Sequence, residues 1–259
     1  MFYSERCRLL FVACPKTGTM SVHAALENID PDGERFRIPL PDVVVDSASV
    51  NTDTLGHATA PELRAAMGDH NYRETTVFGF IRHPIEKLVS SYFFTRKQSL
   101  FIDSGSSSAG DRLRLLRLNV RRAFSVLAAR LLPFSVWTVF FPMKTCSSYF
   151  VDSSGVIIVD YLGATDRLHH DLVAILNDIG LDTSAVEVPK LNKSIHSGAH
   201  TYVAKGGSLH RRLSKRYADD LKLYELVKSG YFKSAKAAIL AEAQGMQPTT
   251  EEIQDHVEQ

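Results

Sequence analysis

The sequence predicts an α/β protein of three layers, a mostly parallel central sheet flanked by helices. Two observations predict it. An apolar run, residues 9–13, ends at Pro15 and passes through a Gly-containing turn into residues at helical spacing. The same order recurs where the β-branched and aromatic run 75–81 ends at Arg82-His83-Pro84.

The first of these units carries the most information. Leu9, Leu10, Phe11, Val12 and Ala13 suit a strand buried on both faces. Pro15 cannot donate to a ladder and stops it. Lys16, Thr17, Gly18 and Thr19 then supply one cation, two hydroxyls and one residue free to take positive φ. From Met20 to Asn28 the helical spacing is set by apolar positions 22, 25, 26 and 29. Strand, turn and helix in this order gather backbone N–H groups and a helix N-terminus around one small volume, a geometry that binds a phosphate-like anion. The turn lacks the second Gly of GxxxxGK[ST]. On this stretch alone, a turn that merely joins strand to helix stays open.

Residues 31–41 read as a polar, Pro-rich connection and 43–45 as a short strand. Thr59-Ala-Pro-Glu62 has the spacing of a capping box with Pro61 in the first turn, so a helix is expected from about Ala60 to Met67. His57 falls in the loop just ahead of it. The strand 75–81 puts Arg82 at its C-terminal end. Pro84 suits the first turn of the next helix, whose apolar face is Leu88, Val89, Tyr92 and Phe93. Ligands of open α/β sheets collect at that edge, so the two turns are placed to share one ligand.

Residues 101–111 are Ser/Gly-rich and read as a mobile loop. Residues 112–132 form a basic helical pattern with Leu113, Leu116, Val120, Phe124 and Leu127 along one stripe; its arginines could serve an acidic substrate, although a solvated face is the commoner reason for such a pattern. Arg130 and Pro133 break the apolar stretch 123–141, which reads as a core helix and a buried segment rather than a membrane span. A strand is expected at 155–161. A helix is expected at 166–179, capped by Asp166 and stopped at Gly180. Residues 186–200 are polar and irregular, and 208–228 and 231–244 read as closing helices. One domain, 1–245, is expected, with an acidic, frayed tail at 246–259.

The formal net charge of +1 gives no overall field for nucleic acid or an anionic membrane, though a local basic pocket stays open. Three cysteines, without metal or redox spacing, point to free thiols in a reducing compartment. Charges within the first eight residues do not read as a signal peptide. A soluble, cytoplasmic protein is expected, with no membrane anchor, no nucleic-acid partner and no metal. Its oligomeric state is not readable.

Together, PKTGTMS after the first strand and RHPIEKLVSSY after the later one resemble the PAPS-dependent sulfotransferases. The likeness is nearest to the carbohydrate-type (family 2) branch and its small bacterial relatives, and it runs roughly from Leu9 to Tyr224. It implies the nucleotide-kinase-like sulfotransferase fold. It also implies that 3′-phosphoadenosine 5′-phosphosulfate (PAPS) is the co-substrate, and that the acceptor is a glycan or small molecule. Lys16, Thr17, Gly18, Thr19, Met20 and Ser21 would cradle the 5′-phosphosulfate, and Arg82 and Ser90 the 3′-phosphate. Weaker counterparts are His57, Gly163-Ala-Thr-Asp166 and Asn192, Lys193 and Ser194, the last three as a loop over the nucleotide or an ordinary connection. Met20 stands where a hydroxyl is usual, and His83 where Asn is frequent. Lys16 is the candidate for stabilising charge on the leaving phosphate and His57 for the general base. His169, His170, His196, His200 and Asp53 stand in reserve as the base. The competing readings are a small P-loop kinase and a nucleotide-binding module without chemistry. The kinase reading lacks the Walker spacing and an obvious Mg²⁺-holding Asp.

Overall fold

The computed structural model describes residues 1–35, 38–40, 43–45, 57–100, 109–184, 186–189 and 199–234. The chain divides into two compact units, Met1–Ile81 with Ser147–Leu191 and Leu223–Gln259, and Arg82–Cys146 with Asn192–Lys222.

The first unit is built on a six-stranded sheet. Its strands are β1 (Phe2–Ser4), β2 (Leu9–Val12), β3 (Glu34–Arg35), β6 (Thr76–Ile81), β7 (Tyr161–Ala164) and β8 (Phe232–Lys233), in the order β3-β1-β2-β6-β7-β8. A separate hairpin pairs β4 (Ile38–Leu40) with β5 (Val43–Val45). The sheet is mostly parallel. Its centre, β2-β6-β7, is parallel throughout, and β3 runs in the same direction, so only β1 and β8 oppose the other four.

Alternation along the strands divides the two faces. Leu9, Phe11, Phe78 and Phe80 meet Val22, Ala25 and Leu26 of the helix Thr19–Ile29, and Leu172, Ile175 and Leu176 of the helix Leu168–Asp178. On the opposite face Gly79 leaves room for Phe150 of the short helix Ser147–Phe150. A Cβ at residue 79 would lie 2.3 Å from the Phe150 ring. The helix Ala60–Met67 forms where expected, with Thr59 and Glu62 closing the capping box. The short helix Asp69–Glu74 then leads directly into β6.

Several expectations are corrected. Residues 155–161 are not a strand. The Asp152 carboxylate accepts the N–H groups of Ser154 and Val156, Gly155 takes φ 85°, and the chain turns, so β7 starts only at Tyr161. Asp166 does not cap a helix. It lies in a 3-10 turn, Thr165–Arg167, ahead of the helix that begins at Leu168, and Gly180 follows that helix with φ 75°. The segment 208–228 is two helices, Ser208–Arg216 and Ala218–Val227, broken at Tyr217. After residue 231 the chain forms β8, while 235–244 lie outside the described residues.

The second unit is helical. The helices Pro84–Lys97, Ala109–Leu131, Phe134–Phe140 and Ser208–Arg216 enclose Leu88, Val89, Tyr92, Ala129, Trp137 and Leu213. Tyr92 donates its hydroxyl to the Leu132 carbonyl at 2.8 Å, and Lys87, buried, donates to the Lys144 carbonyl at 2.8 Å. From Val120 onward, the apolar stripe of the 109–131 helix does not face this core. Val120, Phe124 and Leu127 are exposed, while Val126, Ala128 and Ala129 are buried. Small residues let two helices approach closely, and periodicity alone does not say which side does so.

Candidate functional site

The turn after β2 is assembled from left-handed backbone. Lys16 takes φ 69°, costly for a residue with a side chain, and Gly18 takes φ 82° as it caps the helix Thr19–Ile29. Such backbone persists only where its surroundings fix it. Thr17, fully buried, donates its hydroxyl to the Cys14 carbonyl at 2.8 Å, and Thr19 donates to the same oxygen at 3.0 Å. Leu168 stands behind the turn, its Cδ2 only 2.8 Å from where a Cβ on residue 18 would lie. Thr165 Oγ1 is 3.0 Å from the Ile81 carbonyl and 3.4 Å from the Thr17 carbonyl, linking the turn to the end of β6. Sequence reasoning missed Thr165. Its only signal was its place within Gly163-Ala-Thr-Asp166, where no role was attached to it.

This geometry leaves donors at the helix start. Among the described residues, no carbonyl accepts from the backbone N–H groups of Thr17, Gly18, Thr19 or Met20. The first turn of the helix carries no acidic residue, so its positive end is not neutralised from within. The two threonine hydroxyls give their single protons to Cys14, so these residues would reach an anion through backbone N–H groups instead. Ser21 is buried in the first turn, and Met20 points outward with 48% exposure.

His57 lies at this turn. Its Nδ1 is 2.9 Å from the carbonyl of Ala13, the residue that follows β2. A carbonyl only accepts, so Nδ1 carries the proton, and in the neutral ring Nε2 keeps its lone pair. The capping box just beyond fixes the chain that carries this imidazole.

The second sequence turn begins where β6 ends. β2 and β6 are parallel neighbours, Val12 pairing with Gly79, so both strands finish at one edge of the sheet. Arg82 follows Ile81 directly, and its Nε lies 3.4 Å from the Glu86 carboxylate. Ser90 is buried in the helix Pro84–Lys97. Among the reserve bases, His169, His170 and His200 are exposed, and His170 Nδ1 is 3.2 Å from Asp171. Asn192, Lys193, Ser194, Asp53 and His196 lie outside the described residues.

One further histidine sits beneath the turn. His23, in the helix Thr19–Ile29, is buried with its ring edge-on to Phe11 at 5.6 Å. Burial, then the N-terminal amine, Arg35 and His57, push its pKa down to about 3.

The sequence model of the sulfotransferase family matches residues 1–227. No curated protein and no solved structure matches the chain.

Proposed function

Because the chain belongs to the sulfotransferase family, we propose that it moves a sulfuryl group from PAPS to an acceptor hydroxyl on a sugar or small molecule. The observation that carries the reading is the left-handed Lys16–Gly18 turn, closed on Cys14 and opening onto the helix start, with His57 hydrogen-bonded beside it. In this reading the backbone N–H groups of residues 17–20 and the Lys16 ammonium hold the 5′-phosphosulfate, with Ser21 in support. Arg82 offers a charged fork to the 3′-phosphate, with Ser90 beside it. Asn192, Lys193 and Ser194 complete the nucleotide site.

The chemistry asks little covalent work of the protein. The acceptor oxygen attacks sulfur in line as the bond from sulfur to the bridging oxygen breaks, leaving adenosine 3′,5′-bisphosphate. His57 Nε2 takes the hydroxyl proton, while Nδ1–H stays on the Ala13 carbonyl and holds the ring in the useful tautomer. Lys16 stabilises the negative charge that builds on the leaving phosphate.

The test is transfer of labelled sulfonate from PAPS across a panel of glycan and small-molecule acceptors. Lys16→Ala should lower turnover by about 10²–10³, and His57→Asn by about 10²–10⁴. Normal turnover by the Lys16 variant of an acceptor the parent uses would overturn the mechanism. Tighter binding of ATP with Mg²⁺ than of adenosine 3′,5′-bisphosphate would overturn the donor.

A further inference from the structure

The near-neutral chain conceals two units of opposite charge. Residues 82–146 with 192–222 contain 18 Lys and Arg against 5 Asp and Glu, formally +13, and the remainder contains 12 against 24, formally −12. The basic unit also exposes apolar side chains. Val120 is 61% exposed, Phe124 66%, Leu127 44% and Leu131 78%, at intervals of four, three and four along the helix Ala109–Leu131. Val139 and Phe140 of the helix Phe134–Phe140 add to them, and Phe124 lies 5.7 Å from Phe141, which joins the two helices. Together these six expose roughly 600 Å², at the upper end for the largest apolar patch of a monomer.

A basic helix borders the patch. Arg212 donates to the Ser135 carbonyl at 3.0 Å and reaches the Thr138 hydroxyl at 3.4 Å, which fixes the helix Ser208–Arg216 beside Phe134–Phe140. Arg211, Arg212, Lys215 and Arg216 are all exposed on it. We propose that this face docks on an anionic membrane surface, its apolar side chains entering the headgroup boundary and its arginines and lysine meeting lipid phosphates. Pairing of this face with the same face of a second copy is disfavoured, because the positions flanking the stripe hold Arg121 and Arg130 and no acid, so it would set arginine near arginine. A polyanionic glycan would use the cations and leave Phe124 and Leu131 in water. Attachment is at the surface: no helix among the described residues is long and apolar enough to cross a membrane. This inference does not depend on the sulfotransfer reading.

The experiment is co-sedimentation of the full chain with phosphatidylcholine vesicles, with and without phosphatidylglycerol. Binding should require phosphatidylglycerol and weaken as salt is raised. Phe124→Glu with Leu131→Glu should abolish it in a chain that still melts cooperatively. Lys215→Gln with Arg216→Gln should weaken it about fivefold for each charge removed. Three results would overturn the proposal: no binding to phosphatidylglycerol vesicles, undiminished binding by the Phe124/Leu131 variant, or neutral and anionic vesicles bound alike. So would capture by a sulfated polysaccharide, or a dimer lost in the Phe124/Leu131 variant, in a chain that ignores vesicles.

Discussion

Acidification should destabilise the first unit through His23. The ring is buried against Phe11, and its pKa is pushed down from 6.5 to about 3 by burial first and neighbouring cations second. Between those two values the unfolded chain holds a proton on this imidazole that the folded chain does not. The contribution to stability is therefore complete above pH 6.5 and falls as pH drops, by up to about 1.4 kcal/mol per pH unit. From pH 6.5 to about pH 5 the loss is about 2 kcal/mol, or about 4–8 °C in melting temperature for a chain of this size. The N-terminal amine, pushed down to about 5 by burial, adds a slope of the same sign between about pH 8 and 5. The decisive quantity is thus the difference between two chains. Melts of the parent and of His23→Leu, each at about pH 7.5 and pH 5, should show the parent losing about 4–8 °C more than the variant. Equal losses would refute the assignment of this acid sensitivity to His23.

Two further outcomes follow from the fold. Gly79→Ala places a methyl group 2.3 Å from the Phe150 ring, so it should cost about 1–3 kcal/mol in denaturant titrations, with part of the loss recovered by Phe150→Leu. Thr59→Ala removes the oxygen that accepts from the Glu62 N–H and donates to the Glu62 carboxylate. It should cost about 1 kcal/mol by the same titration. Because that cap follows His57 closely, turnover should fall while donor affinity, read by calorimetry, stays unchanged.

The central architecture was legible because its signals are local. An apolar run, a Pro stop and a Gly turn define β2 and its helix, and Thr59 with Glu62 defines the next one. What escaped depends on partners distant in sequence. β1 has three residues and exists because Phe2, Tyr3 and Ser4 pair with Phe11, Leu10 and Leu9. The run 156–159 has strand composition, yet the Asp152 turn decides its path. Along 109–131, Ala128 and Ala129 face the core while the larger Phe124 faces solvent, the reverse of what hydrophobicity alone suggests. The charge division was hidden for the same reason, since the basic unit is made of two separate segments. At the site, the Gly18 turn with its helix, and the place of His57 just ahead of the capped helix, could be read from residue types. The bond from His57 to Ala13 and the bridge through Thr165 could not, because each joins residues more than forty positions apart.

The proposal that one nucleotide is held by the Lys16 turn at one end and by Arg82 at the other is tested most directly by a calorimetric cycle. Adenosine 3′,5′-bisphosphate and adenosine 5′-monophosphate are each titrated into the parent chain and into Arg82→Ala. The parent should prefer the bisphosphate by about 10- to 100-fold, the worth of a charge-assisted contact to the 3′-phosphate. The variant should lose that preference and still bind the monophosphate as the parent does. A preference that survives removal of Arg82 would contradict the assignment.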